Sequence, residues 1–129
     1  MKNSITSVLS IATTSFGQNK KFSELTNNKY ANQNLIKCIK SENKQIRKNS
    51  IYLEGYYRII ESKNELIKQL RVEECFENKI LIGLALYKIN SEKGIKELMS
   101  LAQRENNVKL KKMCYAICTE YLSSYAKSI

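Results

Sequence analysis

Leu35-Ile36-Lys37-Cys38-Ile39 is a phrase that the chain says again as Leu66-Ile67-Lys68-Gln69-Leu70 and a third time as Leu98-Met99-Ser100-Leu101-Ala102. The copies begin 31 and then 32 residues apart. A self-similar apolar pattern at that period marks a repeat architecture, whose units stack because none can bury its own apolar face alone. The phrase speaks for architecture. It names no reaction and no ligand.

Working outward from the three copies, helices alternate with short polar turns. The first copy lies in a helix expected over about residues 31–42, closed by Ser41-Glu42-Asn43. A second helix is expected from about 44 to 60. Ile46, Ser50, Leu53, Tyr57 and Ile60 form its stripe, broadened by Ile51, Gly55 and Ile59. Ser62-Lys63-Asn64-Glu65 has the form of a capping box, in which the serine hydroxyl accepts from an orphan N–H and the glutamate reaches back. It would open a helix over about 63–73.

The stretch 77–89 is apolar almost all round, as a helix covered on both sides should be, and its small Gly83 and Ala85 permit close approach. Asn90-Ser91 caps a helix over about 92–104, which carries the third copy. After Asn106-Asn107 a last helix, about 108–125, carries Leu110, Met113, Cys114, Ile117, Cys118, Tyr121 and Leu122. Connections this short imply antiparallel neighbours. The expected class is all-α.

Composition agrees with that class and removes many functions. The 129 residues contain no Pro and only four Gly, so little interrupts a helix. His, Asp and Trp are absent. Without His and Asp there is no Ser-His-Asp or Cys-His relay, no zinc helix of the H-E-x-x-H type and no EF-hand. The glycines are too scattered for a phosphate loop. Cys38, Cys75, Cys114 and Cys118 do not form two close pairs, so no zinc pattern is present. Cys38, Cys114 and Cys118 fall at apolar helix positions, where a free thiol behaves as a small hydrophobe. A Cys38–Cys75 bridge between neighbouring units is conceivable in an exported chain. The expectation is a non-enzyme with no cofactor and no metal. No apolar run is long enough for a transmembrane helix. The formal net charge of +10 invites an anionic partner, although joint over-use of Lys, Asn and Ile is also what an AT-rich coding sequence produces.

Residues 1–17 admit two readings. Lys2, an apolar stretch through Ile5, Val8, Leu9, Ile11, Ala12 and Phe16, and the small Ser15 and Gly17 before Gln18 make a secretory signal. That would place the protein outside the cytoplasm, periplasmic or secreted. Ile5, Val8, Leu9, Ala12 and Phe16 also share one helical face, which fits an amphipathic helix of a cytoplasmic protein. Residues 18–30 read as a linker or capping segment, and 31–129 as the repeat domain.

Taken together, residues 31–125 resemble the HEAT-repeat family. An apolar second helix and a polar turn are followed by an aliphatic residue and two basic ones. Ile46-Arg47-Lys48 and Leu110-Lys111-Lys112 match that step, and Lys79-Ile80 matches it in part. The run 85–89 followed by 90–95 resembles the usual inter-helix link. The turn proline and aspartate of the family are missing, with Asn, Ser and Glu in their place. The resemblance implies a short right-handed α-solenoid of about three antiparallel helix pairs that serves as a protein-interaction scaffold. The DNA-glycosylase activity of some relatives does not carry over, since their Asp and aromatic residues have no counterpart set here.

In such a stack the second helices line one concave surface. Aligning the three phrases sets Lys37 beside Lys68 and Ser100, and Lys40 beside Arg71 and Gln103 with Arg104 adjacent. This basic row would dock an acidic segment of a partner protein. Glu42, Glu65, Glu73, Glu74 and Glu97 dilute it. Tyr52, Tyr56, Tyr115 and Tyr125 are candidate aromatic anchors, since tyrosine offers large contact area at low entropy cost. The alternative is binding of an anionic ligand or of a nucleic-acid backbone through the same row.

Overall fold

A computed structural model describes residues 29–128, and the two readings of residues 1–17 lie outside the described residues. The described part is all-helical. Its elements are α1 (Lys29–Cys38), α2 (Lys44–Tyr56), a 3-10 turn (Ile60–Ser62), α3 (Lys63–Val72), α4 (Phe76–Ile89), α5 (Glu92–Arg104) and α6 (Val108–Ser128). The helix starts follow from polar caps. Asn43 Oδ1 accepts from the N–H groups of Gln45 and Ile46 at 2.9 and 3.1 Å. Ser91 Oγ accepts from Gly94 N at 2.9 Å and Asn107 Oδ1 from Leu110 N at 3.0 Å. Each satisfies donors that a helix start leaves without a partner.

Three local expectations need correction. Ser62 does not cap α3. Its hydroxyl donates to Ile59 O at 2.7 Å within the 3-10 turn, and Glu65 pairs with lysines instead of reaching back. The α2 stripe is wider and shorter than expected. Ser50, Ile51, Leu53, Gly55 and Ile59 are buried as read, but Ile46 and Ile60 at its ends are exposed, and Asn49 and Glu54 are buried as well, because α2 is covered from more than one side. Finally, the first helix begins at Lys29 and ends at Cys38, so Lys29 and Tyr30 belong to a helix and not to a linker.

Packing centres on α4, which contacts α2, α3, α5 and α6. Even-numbered helices touch one another in the order α2, α4, α6, and α3 touches α5. Close approach explains why small residues sit here. A Cβ on Gly55 would stand 2.8 Å from the Ala85 Cα, so α2 lies against the backbone of α4. A Cβ on Gly83 would meet only methyl tips of Leu98 and Ile117, at 3.0–3.2 Å.

The three phrases keep a common register. Leu35, Leu66 and Leu98 are buried, as are Ile39, Leu70 and Ala102, whereas Lys37, Lys68 and Ser100 are all exposed. Leu66, Leu98, Ile39, Leu70 and Ala102 share the main core. Leu35 sits in a smaller cluster with Leu53 and Ile59, flanked by Tyr52 and Tyr57.

Candidate functional site

Three cations of the predicted basic row, Lys40 just past α1 and Lys68 and Arg71 on α3, have carboxylate partners. Glu65 takes Lys40 and Lys68, each at 3.4 Å, and Arg71 pairs with Glu97 on the next odd-numbered helix. Arg71–Glu97 resembles Lys40–Glu65, with its cation 31 and its carboxylate 32 residues further along the chain. The lysines hold the Glu65 carboxyl below its ordinary range despite partial burial, and Arg71, with help from Arg104 and Lys93, does the same for Glu97. Lys37 makes no ion pair among the described residues.

A second rung is better built. The Arg47 guanidinium grips Glu73 with two hydrogen bonds, Nε to Oε1 at 2.9 Å and Nη2 to Oε2 at 3.0 Å. Its Nη1 donates to the Ser41 and Glu42 carbonyls at 2.9 and 3.2 Å, which ties down the α1–α2 turn. Gln69 Nε2 and the Cys75 N–H also donate to the Glu73 carboxylate. These donors keep Glu73 ionised, with its pKa below the ordinary value although its side chain is buried. Lys79 and Glu105, 32 residues further along in each case, approach to 3.9 Å. The basic step read from the sequence therefore clamps a turn.

The tyrosines lie elsewhere, on the even-numbered helices. Tyr52 and Tyr56 stack with ring centroids 5.8 Å apart, and Tyr57 meets Tyr56 edge-on at 4.8 Å. Tyr56 is 48% and Leu84 38% exposed, and both line an apolar groove between α2 and α4 whose remaining walls are Ile51, Tyr52, Leu81 and Lys88 over a floor of Gly55 and Ala85. Tyr115 and Tyr125 are exposed on α6.

Beside that groove is an open cleft of about 360 Å³ lined by Arg58, Tyr87, Lys88, Asn90, Tyr121, Ser124 and Tyr125. Its position follows from how two helices end. After α2 the Ile59 N–H bonds to Glu54 O and the Arg58 N–H to Gly55 O. After α4 the Ser91 N–H bonds to Leu86 O and the Asn90 N–H to Tyr87 O. Both are Schellman endings, which need a left-handed residue just past the helix, usually Gly and sometimes Asn. Asn90 has φ 63° and suits the place. Arg58 has φ 51°, where an ordinary side chain is disfavoured.

Sequence reasoning missed the cleft, because its residues are scattered over three chain segments. The one local signal was the 32-residue offset between Arg58 and Asn90. It also missed Glu54. That carboxyl is fully buried on α2, and neither oxygen has a hydrogen-bond partner. Burial, aided by the negative charge of Glu65, pushes its pKa from 4.5 to about 9. Glu54 in turn helps burial raise the Cys38 thiol.

All four cysteines are free thiols, so the Cys38–Cys75 bridge is not formed. Cys114 and Cys118 are wholly buried, and burial pushes the Cys114 thiol up to about 11. Among the described residues no group of three or more His, Cys, Asp or Glu side chains is placed to hold a metal, and no helix is long and apolar enough to cross a membrane. No protein-family model, curated protein or solved structure matches the chain.

Proposed function

We propose that this protein is a non-enzymatic interaction scaffold, a short right-handed HEAT-like stack of about three helix pairs that binds another protein. The recurrence of its ion-pair rungs supports the stack. Lys40–Glu65 recurs as Arg71–Glu97, and Arg47–Glu73 as Lys79–Glu105, each one unit along. Such spacing arises when like units meet their neighbours in like ways. The even-to-even helix contacts and the shared register of the three phrases support the same reading.

The observation that carries the binding role is the half-open aromatic groove between α2 and α4, where Tyr56 and Leu84 expose apolar surface beside a cation. Exposed aromatic residues in a concave apolar setting are characteristic anchors of protein interfaces. Binding of a nucleic-acid backbone through the odd-helix row is the weaker reading, since Glu65 and Glu97 offset three of its cations.

A photo-crosslinking amino acid placed at Tyr56 in the native host tests the scaffold role. The expected result is one recurrent protein adduct, identified by mass spectrometry, that is missing when the crosslinker sits at Lys96. Equal adduct patterns from the two positions overturn the proposal. Export is testable on the same material. A purified chain beginning at Gln18 supports the signal reading of residues 1–17, and one retaining them removes it.

A further inference from the structure

The α2–α4 groove and the α4–α6 cleft are two parts of one surface, because Lys88 lines both. Among the described residues no carboxylate lines either part. Arg58 and Lys88 are exposed and make no ion pair among the described residues, in contrast to Lys40, Lys68 and Arg71. The groove is almost wholly apolar and encloses about 110 Å³. An apolar cavity of about 150 Å³ takes a benzene ring, so the groove suits a single aliphatic or small aromatic side chain. The cleft adds hydrogen-bonding groups, namely the Asn90 amide and the Tyr87 and Ser124 hydroxyls, the last two 3.4 Å apart.

Arg58 supplies the second, independent observation. It occupies a left-handed position that glycine would fill without strain, and the equivalent position after α4 holds the more tolerant Asn90. An arginine kept there, at the rim of a cleft, gives up local stability to hold a charge that no described carboxylate pairs. Backbone strain of this kind collects at sites that handle ligands.

We propose that this surface binds an acidic segment of a partner protein, seating one apolar side chain between α2 and α4 and its carboxylates over Lys88 and Arg58. The proposal rests on the scaffold reading and adds the place and the chemistry of the contact.

Fluorescence anisotropy with the full chain tests it. The probes are labelled dodecapeptides rich in Glu, whose central residue is Leu, Ile, Phe, Tyr or Trp, with matched peptides that carry Gln for Glu. At least one acidic peptide is expected to bind. It should weaken tenfold or more on substitution by Gln, on raising salt from 50 to 300 mM, and in the R58G/K88Q variant. Arg58→Gly relieves the strained position, so loss of binding there does not stem from unfolding. The proposal falls if no acidic peptide binds, if R58G/K88Q binds as tightly as the parent, or if a single-stranded oligonucleotide binds in preference. A K40Q/R71Q variant separates the two levels. If it alone loses the peptide, the contact lies on the odd-numbered helices, and the scaffold reading survives while the site assigned here does not.

Discussion

The ridge of α1, α3 and α5 and the cleft at the ends of α2 and α4 both carry positive charge, and they use it differently. On the ridge, Glu65 takes up Lys68 on its own helix and Lys40 from just past α1, and Glu97 takes up Arg71 from α3. In the cleft, Arg58 and Lys88 face solvent with no carboxylate among the lining residues. A row of cations in the sequence is therefore not a binding surface until the positions of the glutamates are known. Charge that holds helices in register contributes to the fold. Charge without a partner is available to something else.

The largest test of this contrast is the rung at the turn end. Arg47→Ala leaves the Glu73 carboxylate buried beside two weaker donors, and breaking a buried pair from one side costs about 3–5 kcal/mol. Urea denaturation should show that loss at pH 7. It should shrink on acidification as Glu73 takes up a proton, because this group stabilises the fold only while ionised. A loss below about 1 kcal/mol would mean that the rung is no stronger than the exposed pairs.

Glu54 responds to pH in the opposite sense. The fold holds its carboxyl protonated up to about 9, while the unfolded chain releases that proton near 4.5, so stability falls as pH rises between those values. The chain has no His, and the Glu65, Glu73 and Glu97 carboxyls are shifted downward, so the window from pH 5 to 8 belongs largely to Glu54. The parent should lose about 1 kcal/mol per pH unit there relative to Glu54→Gln. Parallel pH profiles for the two proteins would remove the buried carboxyl from the account.

Gly55→Ala sharpens the comparison from the groove side. The new methyl meets the α4 backbone at Ala85, which cannot swing aside, so the expected cost is about 1–3 kcal/mol despite better helix propensity. Arg58→Gly should stabilise by about 1 kcal/mol, since it removes a left-handed non-glycine residue. Calorimetry that finds it destabilising would show that Arg58 has a structural partner. Arg71→Gln on the ridge should leave the urea midpoint almost unchanged, as loss of an exposed pair does, and any difference should vanish in high salt.

Much of this molecule is legible one helix at a time. The fifth helix runs over the expected 92–104, and most other helix starts lie within a residue or two of the reading. Ser91 caps as its sequence context suggests. Failures begin where a second helix intervenes. Ile46 has the spacing of a core residue and is exposed, because α2 rests on α4 through Gly55. Glu54 looks like a surface residue and is buried, because α2 is packed on more than one side. Ser62 has the letters of a cap, and a 3-10 turn takes its hydroxyl first.

Period and capping are properties of neighbouring residues along one chain segment, and so the sequence alone determined the all-helical class, the 31- and 32-residue spacing of the phrases and the face each phrase buries. Which cation meets which carboxylate was decided only in three dimensions. Arg47 and Glu73, or Arg71 and Glu97, are 26 residues apart. A long flexible side chain finds its partner only after the intervening helices have packed. The same holds for Arg58 and Lys88, which share a surface because two helix ends come to rest side by side.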